Sequence, residues 1–264
     1  MIELAGIQVR FNRGSPMETH ALRGLDLKLA AGEFVTVIGS NGSGKSTLLN
    51  VLAGDVLPDS GRVIVDGVDV TSRPAASRAG AVARVFQDPL SGSCEQLTIE
   101  ENLALAASRG ARRFLAPAVT RERRERFRAR LSALKLGLEN RLQDRMGLLS
   151  GGQRQAVALV MATLRPISVL LLDEHTAALD PRIARFVMDL TDRLIGEQNV
   201  TTLMVTHSMR LALDHGRRTI MLHEGRAVLD VRGPEREGLG VEDMLHLFEQ
   251  VRGEELADDS LVLD

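Results

Sequence analysis

The chain has 264 residues, of which 44% are hydrophobic and 26% charged, and its formal net charge is −2. This composition is typical of a globular protein, and the near-neutral charge gives no support for nucleic-acid binding. No stretch approaches the ~18 consecutive apolar residues of a membrane helix, and the first residues lack the layout of a signal peptide. A single cysteine, Cys94, excludes an internal disulfide. We therefore expect a cytosolic chain with Cys94 as a small buried side chain.

The N-terminal quarter shows the alternating pattern of half-buried strands. Residues 2–10 and 25–30 are predicted strands, and in the second of these Leu alternates with Asp and Lys. Residues 62–65 repeat the alternation and end in the turn signal Asp66-Gly67. We expect these strands to form an antiparallel layer.

The phosphate loop, residues 39–47, matches the pattern G-x-x-x-x-G-K-[ST]. It lies between a predicted buried strand, residues 34–38, and a predicted helix, residues 46–53. Such a loop directs main-chain N–H groups and a helix N-terminus at one point, where a polyphosphate binds. The predicted phosphate ligands are Gly39, Ser40, Asn41, Gly42, Ser43, Gly44, Lys45, Ser46 and Thr47.

The middle of the chain changes character after a predicted strand at residues 82–86. Thr98 and Glu101 have the spacing of a capping box, and residues 120–136 are arginine-rich with apolar residues at helical spacing. The arginines would suit an RNA or lipid surface, but interleaved glutamates favour a solvated helix face. We predict a helical insert at residues 95–148.

The second half alternates strands and helices. A helix predicted from Ser150 to about Leu164 begins with a capping pair formed by Ser150 and Gln153. Aliphatic runs at residues 169–172 and 201–206 predict parallel strands, with helices between them at 181–196 and 208–215. Polar residues follow the strand ends, where open α/β sheets bind ligands: Asp173, Glu174 and His207.

These elements predict an α/β fold: a P-loop NTPase core with a mostly parallel sheet, an N-terminal antiparallel β layer and a helical subdomain insert. Within a single domain spanning residues 1–264, we assign residues 1–94 and 149–231 to the core and 95–148 to the insert. Residues 232–264 are assigned to a C-terminal helix, predicted near 241–251, and to an acidic end that we expect to be mobile.

The polar residues suit phosphoryl transfer to water, which needs a phosphate cradle, a metal with its carboxylate and a group that orients water. Asp173, at the end of a buried strand, fits the metal-side carboxylate. Glu174 fits the general base. Asp173-Glu174 alone would be an ordinary surface turn, but the phosphate loop in the same chain favours the catalytic interpretation.

The ordered set of motifs resembles the nucleotide-binding subunit of ATP-binding cassette (ABC) transporters, over nearly all of residues 2–231. It consists of the phosphate loop, Gln87, the pentapeptide 149–153, the run 169–174, residues 178–180 and His207. The resemblance implies a magnesium-dependent ATPase that uses ATP as its nucleotide.

The resemblance also implies roles for individual residues. Phe11, which taken alone would be a core residue, matches the aromatic ring stacked on adenine. Gln87 matches a glutamine that senses the metal and begins the stretch touching the membrane partner. His207 contacts the γ-phosphate in the family, and Asp180 acts across a dimer interface. The implied catalytic residues are Lys45, Glu174 and His207, and the implied metal ligands are Ser46, Gln87 and Asp173.

The pentapeptide implies the assembly. In the family, Ser150, Gly151, Gly152 and Gln153 lie against the ATP of a second copy, so that two sites form in a head-to-tail homodimer. The further implied partners are integral membrane permease subunits and, indirectly, an extracytoplasmic solute-binding protein. The implied location is the inner face of the cell membrane, and no nucleic-acid partner is expected.

One position departs from the family pattern. His175 stands where proline is most common, and this variant resembles a subgroup of bacterial importer ATPases for tryptophan or related solutes. The leading hypothesis is therefore an importer ATPase. The alternatives are an exporter or lipid-extruding ATPase, a non-transport ABC ATPase of DNA repair or translation, and a non-enzymatic module that senses ATP.

Overall fold

A computed structural model describes residues 1–111 and 117–252. The chain divides into two compact units: Met1–Arg78 with the chain from Asn199 onward, and Ala79–Gln198. The elements are, in chain order, β1 (Ile2–Phe11), β2 (Thr19–Leu29), β3 (Phe34–Ile38), α1 (Lys45–Ala53), β4 (Ser60–Val65), β5 (Val68–Asp69), α2 (Ala75–Arg78), β6 (Val82–Val85), α3 (Ile99–Ala107), α4 (Arg121–Ser132), α5 (Gly151–Thr163), β7 (Val169–Asp173), α6 (Pro181–Gln198), β8 (Thr201–Val205), α7 (Met209–Asp214), β9 (Arg218–His223), β10 (Arg226–Arg232), α8 (Pro234–Glu237) and α9 (Val241–Arg252).

The antiparallel layer of the first unit has the strand order β2-β1-β4-β5. The predicted alternation is confirmed, because Leu25, Leu27 and Leu29 are buried. Strand β2 begins six residues earlier than the sequence pattern predicts, at Thr19, which pairs with Phe11. Hairpin pairing with β1 extends the strand into a segment whose own composition gives no strand signal.

The second sheet of the first unit centres on β3, which pairs in parallel with both β8 and β9. Strand β10 pairs antiparallel with β9 and forms a hairpin with it. The inner strands β3 and β8 combine hydrophobic residues with threonines and are almost fully buried, as is typical of parallel strands covered on both faces. On one face, Ile38, Met209 and Met221 pack with Met244 and Phe248 of α9.

Buried arginines bind helix ends in the first unit. Arg78 donates to the carbonyl oxygens of Val51 at 2.6 Å and Leu52 at 3.1 Å, at the end of α1. Arg236 donates to Ala212 and Leu213 at the end of α7, at 2.7 and 2.8 Å. Burial lowers the pKa of both guanidinium groups. They satisfy helix-end carbonyls that have no partner within the helix.

The second unit contains the parallel pair β6–β7 and helices α3 to α6. Both predicted capping boxes are present, at the starts of α3 and α5. The arginine-rich segment forms α4, where Arg124 binds buried Glu100 at 2.7 Å and Arg126 donates to Leu164 O at 3.0 Å. Part of the arginine content is thus structural. The exposed pair Arg121–Glu125 is typical of the predicted solvated face.

The prediction that Cys94 is buried is wrong, because its side chain is exposed. The Cys94 N–H donates to Asn102 Oδ1 at 2.8 Å, and Asn102 Nδ2 donates to Cys94 O at 2.9 Å. The amide of Asn102 therefore fixes the Cys94 backbone in a loop whose thiol faces solvent.

The boundaries expected for the helical insert, residues 95–148, stay a prediction. The acidic stretch 254–259 lies outside the described residues. Among the described helices, none combines the length and the apolar character needed to cross a membrane.

Candidate active site

The phosphate loop is framed by main-chain atoms of neighbouring strands. A Cβ atom at Gly39, where φ is +149°, would overlap the carbonyl oxygen of Leu222 on β9. The N–H of Gly225, in the β9–β10 turn, donates to Ser43 O at 3.0 Å. Glycine is required at position 39 because backbone, which cannot move aside, occupies the space of a side chain.

Lys45 lies across its own loop. Its Nζ donates to the carbonyl oxygens of Gly39 at 2.6 Å and Ser40 at 2.9 Å, and the residue is 5% exposed. The buried hydroxyl of Ser43 has no hydrogen-bond partner. A buried ammonium and an unsatisfied hydroxyl donor beside a helix N-terminus are suited to phosphate oxygens. This donor set fits a nucleotide triphosphate.

The other predicted residues of the first unit lie close to this loop in the fold. His207 follows β8, and the N–H of Thr206 donates to Val37 O at 3.1 Å. His207 therefore lies at the carboxyl ends of β3 and β8, where the phosphate loop begins. Phe11 is 38% exposed, as a ring available for stacking must be. Its hairpin reaches the β9–β10 turn through Arg23, whose N–H donates to Gly225 O at 2.9 Å.

In the second unit, Asp173 ends β7, and Gln87 lies two residues beyond the end of β6. Strands β6 and β7 are parallel with Val85 opposite Leu172, so the residues that follow lie side by side. Gln87 is exposed. Asp173 accepts a hydrogen bond at Oδ2 from Arg84 Nη2 at 2.6 Å.

The predicted metal ligands fit magnesium by their chemistry. Ser46, Gln87 and Asp173 offer hydroxyl, amide and carboxylate oxygens, the hard donors that Mg²⁺ prefers. Among the described residues, no group of three or more His, Cys, Asp or Glu side chains could hold a metal ion.

Glu174 has a strained backbone. Its φ is +44°, a left-handed conformation that costs a residue with a Cβ atom about 1–2 kcal/mol. The chain therefore turns sharply after Asp173 instead of continuing the strand. His175, the departure from the family pattern, is 2% exposed, and its Nε2 lies 3.1 Å from Thr191 Oγ1 on α6. His175 is thus a core residue that fastens this turn to α6.

The serine–glycine tip, residues Ser150–Gly152, starts α5. The Ser150 side chain accepts from Gln153 N, and Gln153 accepts from Ser150 N, while Ser150 and Gly151 are exposed. A Cβ atom at Gly152 would overlap Cγ2 of Ile183. The turn before α6 contains Asp180, whose Oδ1 accepts from Ile183 N at 3.2 Å. The structure thus brings the tip and Asp180 together within the second unit.

Sequence reasoning missed three residues that support these groups. Arg84 binds Asp173, Thr191 contacts His175, and Gln155 donates through Nε2 to Phe86 O at 3.2 Å, next to Gln87. Gln155 is 1% exposed. An arginine inside the apolar run 82–86 and a glutamine on the buried face of α5 were the available signals.

The family model described as ABC transporter matches residues 22–177. The chain is 45% identical over 225 residues to the tyrosine transport ATP-binding protein of Clostridioides difficile, covering 85% of this chain and 89% of that protein. It is 36% identical over 230 residues to the thiamine import ATP-binding protein ThiQ of Brucella abortus, covering 86% and 90%.

Solved structures give the same result. The dimeric post-hydrolysis state of the ATP-binding cassette MJ0796 bound to ADP and Pi superposes with a TM-score of 0.75 at 29% identity, over 88% of this chain and 98% of that chain. The ADP conformation of the cassette MJ1267 gives 0.78 at 26% identity, over 96% and 99%. These likenesses confirm the predicted α/β fold with its antiparallel layer and helices. The chain belongs to the ABC transporter family, and it is an ATP-binding ATPase coupled to transport.

Proposed function

We propose that this chain is the ATPase subunit of an importer, in which two copies facing head to tail hydrolyse MgATP and drive solute uptake through separate membrane subunits. The named activities of the relatives, tyrosine transport and thiamine import, support uptake over export. They also favour an aromatic amino acid or similar small solute, delivered by an extracytoplasmic binding protein. The subunit would then lie on the cytoplasmic face of the membrane.

The exposed serine–glycine tip is the observation that carries this proposal. Its capping box binds the Gln153 N–H to Ser150 Oγ and fixes the start of α5, where the helix dipole favours an anion. Ser150 and Gly151 are exposed, while Gly152 packs against Ile183. A helix start held rigidly and presented to solvent suits a triphosphate bound by another chain.

Each polar group has a part in the proposed reaction. Lys45 and the loop N–H groups bind the β- and γ-phosphates, with the adenine stacked on Phe11. Ser46, Gln87 and Asp173 hold Mg²⁺, which when bound offsets the charge on the phosphate oxygens. Glu174 accepts the proton of the attacking water, a role that contributes typically 10²–10⁴-fold.

The remaining groups complete the site when two copies close. His207 donates to the γ-phosphate, and Asp180 acts across the interface beside the partner's tip. If closure raises the rate ~10³-fold, the contacts made on closing lower the barrier by about 4 kcal/mol. A chain alone would therefore bind ATP and hydrolyse it slowly.

A complementation assay tests whether the tip acts on the ATP of a second copy. Lys45→Ala removes phosphate binding, and Ser150→Arg blocks the tip, so each homodimer has two defective sites. A mixed dimer keeps one intact site, formed by the loop of the Ser150→Arg chain and the tip of the Lys45→Ala chain. We expect each variant alone to be nearly inactive and the mixture to regain hydrolysis.

Two further measurements complete this test. Ser150→Arg should still bind a fluorescent ATP analogue as a monomer, and Glu174→Gln should bind ATP, lose turnover and form a stable dimer in light scattering. A mixture that stays inactive while both variants are folded would contradict the head-to-tail site. Unimpaired turnover by Glu174→Gln would contradict the assigned general base.

The solute is testable only in the complete transporter, because the proposed solute path lies in the membrane subunits. ATPase activity of the reconstituted complex should rise with one aromatic amino acid from a panel that also contains thiamine. Stimulation by thiamine alone would assign the chain to the other group of relatives.

A further inference from the structure

Arg84 is an ionised side chain inside an aliphatic strand, and it binds the carboxylate proposed for the metal. Its neighbours Ala83 and Val85 are buried. The Nη2–Oδ2 distance to Asp173 is 2.6 Å, and the two side chains are 11% and 16% exposed. A charge-assisted hydrogen bond of this length between two largely buried ions is strong. Asp173 is therefore already paired with a cation in this structure.

The aromatic ring of Phe86 fixes the position of this cation. Phe86 directly follows β6, two positions after Arg84, and the Arg84 Cζ atom lies 4.7 Å from the centroid of the Phe86 ring. A guanidinium at this distance is attracted to the ring face. Arg84 is thus held from two sides, by the ring and by the carboxylate, and differs from a mobile surface arginine.

The ion pair between Arg84 and Asp173 disfavours binding of a free divalent cation at Asp173. Because a guanidinium does not deprotonate in proteins, a divalent cation reaching Asp173 would meet a like charge a few ångströms away. A nucleotide triphosphate brings enough negative charge to outweigh that repulsion. Resting on the metal role proposed above for Asp173, we propose that Arg84 is a positioning residue that withholds this carboxylate from free divalent cations. Mg²⁺ then enters the site as its nucleotide complex.

Manganese binding measured without nucleotide tests this inference. Free Mn²⁺ is counted by its paramagnetic resonance signal as it is added to the purified full chain. Arg84→Gln removes the charge but keeps an N–H donor, and should bind Mn²⁺ roughly tenfold more tightly than the wild type. Arg84→Lys, the matched control, keeps the charge and should stay within about twofold of the wild type.

The outcomes separate this inference from the proposal on which it rests. Equal or weaker Mn²⁺ binding by folded Arg84→Gln would overturn the role of Arg84. If that variant does not fold, the wild type decides: tight nucleotide-free Mn²⁺ binding that Asp173→Asn abolishes would also overturn it. With a non-hydrolysable ATP analogue present, Asp173→Asn should weaken Mn²⁺ binding to the protein–nucleotide complex, measured against Mn²⁺ bound by the analogue alone. An unchanged affinity would instead refute the metal role of Asp173.

Discussion

The phosphate loop of the first unit and the Asp173–Glu174 turn of the second unit are held in place by different kinds of atoms. Apart from the loop's own Lys45 and Ser43, the close neighbours of the loop are mainly main-chain groups, such as the Leu222 carbonyl beside Gly39 and the Gly225 N–H bound to Ser43 O. Around the turn, they are side chains: Arg84 on Asp173, and Thr191 beside His175.

The difference suggests what can vary in each region. A carbonyl or an N–H is present whatever residue stands there, so a main-chain frame for the loop survives most substitutions except those of its glycines. Contacts made by side chains change whenever one of the contacting residues is substituted. A second substitution at its partner can then restore the packing. The predictions below test this contrast.

Gly39→Ala should have the largest effect. The new Cβ atom would overlap Leu222 O, and no side-chain change can relieve a clash with a carbonyl. We expect a loss of about 3 kcal/mol in the free energy of unfolding without nucleotide, together with loss of ATP binding. Urea denaturation and a fluorescent nucleotide titration measure the two effects.

Gly42→Ala is the control in the same loop. Its φ is +77°, but no atom lies within 4 Å of the added Cβ, so only backbone strain of about 1–2 kcal/mol is expected. Equal losses for the two variants would show that strain, and not the main-chain frame, sets the requirement for glycine.

Gly152→Ala should have a smaller effect that can be repaired. Its Cβ would overlap a side-chain atom, Cγ2 of Ile183, so overpacking of about 1–3 kcal/mol is expected. Ile183→Ala in the same chain should restore most of the stability, as a double-mutant cycle by urea denaturation would measure.

Gly151→Ala gives the reference for this cycle. The added Cβ would lie 3.5 Å from Leu179 Cδ2, an ordinary contact, and should leave the free energy of unfolding nearly unchanged. Strictly additive effects of Gly152→Ala and Ile183→Ala would mean that the tip is not held by this contact.

Thr191→Val should cost about 1–2 kcal/mol, because buried His175 loses its hydroxyl partner on α6. Thermal or urea unfolding measures the loss. Thr202→Val is the control: this threonine is also buried, but its hydroxyl contacts only the nearby Val200 carbonyl among the hydrogen bonds described. A larger loss of unfolding free energy for Thr202→Val than for Thr191→Val would contradict the role of Thr191 in anchoring His175.

Glu100→Gln should cost about 1 kcal/mol at neutral pH and nothing in acid. The hydrogen bond from Arg124 is the main cause that lowers the pKa of buried Glu100 below 4.5. A depressed folded-state pKa stabilises the protein above the unfolded-state pKa, and the stabilisation is lost as the pH falls through the folded-state value. The wild type and the variant should therefore differ above the unfolded-state pKa of about 4.3 and draw together as the pH falls below it.

Unfolding free energies measured from pH 7 to pH 3 test the role of Glu100. Glu122→Gln, an exposed position in the first turn of α4, is the control and should lose less stability than Glu100→Gln, about 0.3 kcal/mol from the helix dipole. A difference between Glu100→Gln and the wild type that persists unchanged to pH 3 would contradict the ion-pair explanation.

Sequence patterns predicted the structural features that are determined by residues close together along the chain. The phosphate loop between β3 and α1, both capping boxes and the aliphatic strands each have a short-range signal, and all are present. Contacts between residues on different strands have no short-range signal in the sequence. Arg84 meets Asp173 only because β6 and β7 pair in one register, and the positive φ of Glu174 is set by the turn around it.

The exposed thiol of Cys94 has a practical consequence. The unaltered chain has one cysteine, and its backbone is fixed by Asn102, so a maleimide fluorophore would attach at a single defined position. In the function proposed above, the stretch that begins at Gln87 contacts the membrane subunit. The emission of a dye on Cys94 would therefore report docking of the permease. No other cysteine of this chain would first have to be replaced.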